Sequence, residues 1–385
     1  MICLRAASRL SVPIAALGLA AFPAFAAVDA NDAQPPPLPL VQSVTMIGTV
    51  QQNPVINGRD GTQSALFQGK SIWTFGDTSM SVPGQGGDYW ADDTLSWTTD
   101  LDASDGVTLD HDHLDATGAP TEFLPHTAAE LHYNYVHNSN HCTANPCGAE
   151  LALWPGEVVA DPDRNRVLFF YGEIWRLPGR SGWVTIGNGI ATWTPGGRVV
   201  RPIENPGSPT PTLMWGPHEV AYTSGSVVSD GTLYSYGCSV DWIVMDCYVA
   251  RVALAHALDK SQWTYYAGNG NWSVHPTAAV AVFQGDAAGN SVFYDAYLGE
   301  YVLIYSQPLS DDVMYRVSET PWGPWSDAGL LFTGETGYQG NIDYAGGAHP
   351  EFSQMNGQIQ YVTYAHSTGF LQSDLPLMQV VFAAP

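Results

Sequence analysis

Residues 57–78 read NGRDGTQSALFQGKSIWTFGDT, and the architecture follows from their pattern. Two short apolar runs, SALF and SIWTF, flank a turn at Gln68-Gly69, which is the signature of a β-hairpin. Arg59 and Asp60 open the first strand, and Gly76-Asp77-Thr78 close the second. In an antiparallel pair those two ends lie side by side. Two carboxylates 17 residues apart in sequence therefore meet on one rim of a sheet.

Working outward, the second strand of that hairpin recurs. WTFGD (73–77) is echoed by FFYGE (169–173), YSYGC (234–238), LIYSQ (303–307) and VTYAH (362–366). Each follows a strand and turn: SALFQGK, EVVADPDRNR, SVVSDGT, SVFYDAYLGE and EFSQMNGQ. Internal self-similarity of this kind marks a repeat architecture. Five hairpins predict an all-β, five-bladed β-propeller, with a double-layered sandwich as the alternative. Outer strands are read at 189–194, 247–254, 313–317 and 377–382. Residues 41–50 form a strand with no hairpin partner, so this strand is expected to pair with the last blade and close the ring.

The chain has 385 residues, and its first 26 read as an address. Arg5 and Arg9 precede an apolar run, and Ala24-Phe25-Ala26 is a cleavage signal, so a Sec-type signal peptide ending near Ala26 is expected. The run is too short to span a bilayer. Residues 27–40 form a Pro-rich linker, and 41–385 a single propeller domain in a secreted or periplasmic monomer. Loss of both signal arginines takes the formal charge from −24 to −26. So acidic a surface argues against nucleic acid and anionic membranes as partners. The 39 Gly, 27 Pro, 19 Tyr and 13 Trp suit many short strands and tight turns. Four cysteines remain after the signal. Cys142–Cys147 and Cys238–Cys247 are the pairings that lose least entropy on closing, and the export context favours bridges over zinc.

In a propeller, each inner strand starts, and each second strand ends, on the same face. The starts are read as Asp60, Glu157, Ser226, Ser291 and His349, and the ends as Asp77, Glu173, Cys238, Gln307 and His366. Acids are thus concentrated in blades one and two. Hydrolysis of a glycosidic bond needs one carboxyl to protonate the leaving oxygen and a second as nucleophile or base. Asp60 and Asp77 suit that pair, against the competing role of Asp as a turn cap. Glu157 begins an apolar strand, where burying an acid is costly unless it is paired or functional, and it joins them as a catalytic candidate. Arg59, Glu173, Glu219, His349 and Glu351 are candidates to bind substrate. Trp154 and Trp215, each just before an inner strand, are candidates to stack on sugars. The His-rich stretch 111–141 lacks tight ligand spacing, so solvated loop histidines and no metal or other cofactor are expected. No GxSxG, P-loop, dinucleotide fingerprint or CxxC is present.

RDGTQSALFQGKSIWTFGDT, LPHTAAELHYNYVHN, LALWPGEVV, ETPWGPWS and AHPEFS together resemble a bacterial family of secreted five-bladed propellers first catalogued as a domain of unknown function. Some of its members are endo-acting D-arabinanases, and it is similar in shape to the furanoside-cleaving propellers. The resemblance implies a hydrolase of α-linked furanoside glycan, with arabinan cut within the chain. It carries the family's motifs onto Asp60 and Asp77, onto Glu130, Asn134 and His137, and onto Glu157, with Glu130 a further candidate to bind substrate. The furanosidase propellers place an acid on the third inner strand, where this chain has Ser226, with Glu219 nearby. A non-catalytic glycan-binding propeller of the cell envelope is the alternative.

Overall fold

The hairpin forms as read. Gln63–Phe67 pairs antiparallel with Lys70–Phe75, Ser64 opposite Trp73. Its turn residues Gln68 and Gly69 both have positive φ (51° and 73°). A two-residue turn of this kind matches the twist of the strands it joins. The computed structural model describes residues 34–179, 182–241, 244–286 and 289–384. The expected signal segment 1–26, and the expected linker as far as residue 33, lie outside the described residues.

Five sheets radiate from a central channel, giving a five-bladed β-propeller. From the channel outward, blade one runs Gln63–Phe67, Lys70–Phe75, Thr94–Thr98 and His111–Asp112. Blade two is Glu150–Asp161, Arg166–Arg176 and Trp183–Trp193. Blade three begins Gly225–Ser229, Thr232–Asp241 and Val244–Ala253, and blade four is Asn290–Asp295, Glu300–Ser306, Asp312–Ser318 and Gly329–Thr333. Blade five is Tyr344–Ala348, Ile359–Gly369 and Pro376–Phe382, with Val41–Thr49 as its outermost strand, antiparallel to Pro376–Phe382. The N-terminal strand thus pairs where its missing hairpin partner implied. A sixth, small sheet (Ile56–Arg59, Thr78–Met80, Trp90–Ala91) sits on the rim beside blade one.

The repeated aromatics explain the repeat. Phe75, Tyr171, Tyr236, Tyr305 and Tyr364 are all buried, because each faces the layer between neighbouring blades. Inner strands crowd at the axis. A Cβ on Gly225 would lie 2.1 Å from Asn290 O, and one on Gly156 2.3 Å from Thr223 O, so only glycine fits there.

Two strand starts differ from the sequence reading. The inner strand of blade two begins at Glu150, and a register shift opposite Phe169–Tyr171 leaves Glu157 in mid-strand. In blade five the inner strand is Tyr344–Ala348, not the stretch after His349. Pro350 cannot donate to a ladder, and residues 350–352 and 355–357 form short 3₁₀ turns instead. His349 and Glu351 therefore follow the inner strand rather than open it. Among the described residues one α-helix, Ala128–His137, interrupts the β pattern; Thr127 and Glu130 form a reciprocal capping box at its start.

Both disulfides form as paired above. Cys238 stands directly opposite Cys247 on neighbouring strands of blade three. Replacing both by alanine is expected to cost about 2–3 kcal/mol through the freed loop of the unfolded chain, read as a lower denaturant midpoint. An unchanged midpoint would show the bridge is redundant with its ladder.

Candidate active site

The hairpin rim brings Asp60 and Asp77 together. Asp60 N–H donates to Asp77 O (3.2 Å), and Gly76 N–H donates to Asp60 O (2.7 Å). The Asp60 carboxylate accepts a hydrogen bond from the Tyr344 hydroxyl at the start of blade five's inner strand. Asp77 Oδ1 accepts from Trp154 Nε1 (2.9 Å) and from Arg176, the last residue of blade two's second strand. Arg176 also reaches Asp92 and, at 3.3 Å, Glu150. Three acids thus meet one arginine, with Asp60 close enough to feel its charge.

Electrostatics follow from that imbalance. Burial raises the pKa of Asp60, against the opposing pull of the Tyr344 hydroxyl and Arg176. Asp77 is pushed up to about 6: burial leads, with Asp92 and Asp60 adding to it, and together they outweigh Arg176 and the Trp154 hydrogen bond. Glu150 rises to about 7, through burial and then Asp92. Asp60 and Asp77 open onto a cleft of about 550 Å³ that Trp90, Tyr338, Tyr344 and Phe370 also line. Trp154 packs edge-on against the exposed Trp183 (4.7 Å between ring centres), so aromatic surface flanks the acid pair.

A second group of acids lies deeper. A channel of about 290 Å³ is lined by all five inner strands and contains Glu157 and Glu351. Glu351 Oε1 accepts from Ser64 (2.6 Å) and Ser71 (2.5 Å). Ser71 begins the strand whose far end leads to Asp77, so Glu351 sits at the opposite end of the channel from the rim. Burial takes Glu157 up to about 8, with Glu351 adding to it and two backbone N–H groups opposing. His349 stacks on Trp73 at 3.9 Å, and burial lowers its pKa to about 3. Ser64 gives its one proton to Glu351, so His349 Nδ1–H donates to Ser64 (2.6 Å) and Nε2 accepts from Thr363 (2.7 Å). This is an internal polar chain, and His349 has no access to the cleft.

Several residues expected to bind substrate are held elsewhere. Arg59 is among the residues that line the cleft, but its guanidinium is buried over Phe75 (3.6 Å) and bonded to Gln52 and Ser96, so its charged end props the rim from beneath. Trp215 is 0% exposed; it packs against Trp263 and Tyr222 between blades two and three and cannot meet a sugar. Glu130 and Glu173 are buried and share Arg201, at 2.6 and 3.2 Å. Glu219 is tied to Lys260 (2.7 Å) and to Gly216 N–H (2.8 Å) in the loop before blade three, and is absent from the linings of cleft and channel. The histidines are not uniformly solvated either. His126 is 7% exposed, while His137 is buried, stacked on Tyr133 and bonded to Pro146 O. Reading the sequence missed Arg176 and Tyr344. The rule that strand starts and ends share a rim would have found Tyr344, had blade five been placed correctly.

The family described as a domain of unknown function, DUF4185, matches residues 55–370. The chain belongs to this family. Among solved structures it is similar to a Bacteroides ovatus protein provisionally classed as a hydrolase, at 17% identity and a TM-score of 0.56, covering 87% of each chain. A Dyadobacter fermentans protein of unknown function aligns at 11% identity and 0.49, covering 89% and 100% of the two chains. The Xanthomonas citri GH43_1 enzyme, solved with xylose, aligns at 14% and 0.46, covering 89% and 92%. At those scores the last two add nothing to the fold assignment. No curated protein matches the chain. Among the described residues no helix is long and apolar enough to cross a membrane.

Proposed function

We propose that the protein is an exported glycoside hydrolase that cuts α-linked furanoside glycan, arabinan foremost, within the chain. The observation that carries this reading is the pairing of Asp60 and Asp77 in an open cleft, both with raised proton affinity. Asp77 is the acid: with a pKa of about 6 it retains a proton in mildly acidic solution and gives it to the leaving glycosidic oxygen. Asp60, steadied in its ionised form by the Tyr344 hydroxyl, acts on the anomeric carbon directly or through water. Trp154 and Arg176 fix the direction of the Asp77 carboxyl. Aromatic residues on both sides of the pair suit sugars bound on both sides of the scissile bond, as cutting within a chain requires. The arabinan preference rests on the family resemblance, and the two disulfides favour action outside the cytoplasm.

The test is release of oligosaccharide from arabinan, galactan and fructan by the purified protein. Release from none of them, with binding retained, would leave a glycan-binding module. The reading also sets a pH profile. Turnover needs Asp60 ionised and Asp77 protonated, so kcat/KM should rise through a pKa above the ordinary 3.8 and fall through about 6. Arg176→Met removes the cation that lowers the Asp77 value, and should move the falling limb upward. A plateau extending through pH 8 would exclude Asp77 as the acid.

A further inference from the structure

Three side chains converge on the far side of Arg176 from Asp77. Asp92 stands between Trp90–Ala91 and Thr94–Thr98, and Glu122 and His126 lie just before the helix Ala128–His137. One carboxylate oxygen from each acid and one His126 ring nitrogen lie within 4.8 Å of one another. Clustered acids alone say little, and His126 is what distinguishes this group. Its side chain is 7% exposed, and its buried Nδ1 makes no hydrogen bond. Nε2 faces Glu122 Oε2 at 3.9 Å, beyond hydrogen-bond reach. Both ring nitrogens face carboxylates, Nδ1 toward Glu130 and Nε2 toward the cluster, and neither is held by a close, well-aligned hydrogen bond.

We propose that Asp92, Glu122 and His126 bind a divalent transition-metal cation. The second shell supports it. Glu130 Oε2 lies 3.4 Å from His126 Nδ1, the position of the outer carboxylate that turns the Nε2 lone pair of a ligating histidine toward its metal. Next door, Asp93 Oδ1 accepts from Phe123 N–H (2.7 Å) and Leu124 N–H (3.0 Å), while its other oxygen is buried and unpaired. Arg176 meets Asp92 through one oxygen and is shared with Asp77 and Glu150. One imidazole with two carboxylates suits Zn²⁺ or Mn²⁺, with water completing the shell. Ca²⁺ takes about six to eight oxygens, more than these side chains offer. A bound ion would join the Asp92 turn to the segment entering the helix, and so anchor Arg176 beside Asp77.

The test uses the full chain dialysed against EDTA and titrated calorimetrically with ZnCl₂, MnCl₂ and CaCl₂. One Zn²⁺ or Mn²⁺ per chain is expected, with a rise in unfolding temperature on loading. Glu122→Gln and His126→Gln should each weaken binding by about tenfold or more, since even outer-shell losses cost about 10- to 100-fold. His275→Gln, exposed beside blade three, should bind as the wild type does. If His126→Gln does not fold, Glu122→Gln, whose side chain is 37% exposed, carries the comparison. Absence of binding, binding that survives both substitutions, or binding of Ca²⁺ alone would overturn the proposal. None of these readouts depends on the glycosidase reading.

Discussion

Asp60→Asn and Asp77→Asn are each expected to lower kcat on arabinan by about 100- to 10,000-fold, the range that positioned acid–base groups contribute. Asparagine keeps the shape of both side chains. The Tyr344 hydroxyl can still donate to residue 60, and Trp154 Nε1 to residue 77, so folding should survive. What disappears is the proton at position 77 and the charge at position 60. The double variant should be little worse than either single one, because the two groups act in one event. Glu157→Gln is the informative contrast. With its pKa near 8, Glu157 is largely neutral at pH 7, and glutamine reproduces a neutral side chain of that size. Turnover within about tenfold of wild type is therefore expected there. The opposite pattern, full activity in both Asn variants and none in Glu157→Gln, would move the chemistry from the rim into the channel.

How much of this was legible before the structure varies with the distance over which a residue is positioned. Asp60 and Asp77 are joined by one hairpin, and a two-residue turn fixes their meeting within 18 residues of chain. The five repeats and the strand 41–49 were legible for the same reason: alternation and turn residues are local signals. Trp215 was not, because Trp on a strand approach reads alike whether it faces a channel or the layer between blades, and Trp263 and Tyr265, some 50 residues on, decide which. Glu173, read as the end of blade two's second strand to match Asp77 in blade one, stands inside a strand that runs on to Arg176. It turns from the cleft because Arg201, in the segment after that blade, draws it into the interior. The helix was hidden only by the strength of the β pattern around it. Thr127 and Glu130 spell a capping box, a local signal outweighed by the composition of the whole.

Arg201→Met is expected to destabilise the fold by about 3–5 kcal/mol, the cost of breaking a buried ion pair from one side. The Arg201 side chain is 2% exposed, and it bonds Glu130 through both oxygens, Glu173 and Thr212. Glu130 and Glu173 are equally deep, at 7% and 2%. Methionine would fill the volume and leave two buried carboxylates with His126 as their nearest remaining cationic partner. Against burial, His126 and then Arg201 hold the Glu130 pKa down to about 2, while burial pushes Glu173 up to about 7. Without the arginine both values rise, Glu173 further above that of the unfolded chain, so the folded variant binds more protons than the folded wild type. Stability of the variant relative to the wild type must then fall as pH rises, and the deficit should be greater at pH 8 than at pH 5. Adding Glu130→Gln and Glu173→Gln removes the stranded charges and should recover much of the loss, as replacement of a whole buried ion network often does. Urea denaturation of the three proteins at the two pH values measures each term. A deficit independent of pH, or a triple variant no more stable than the single one, would show that Arg201 contributes packing rather than charge.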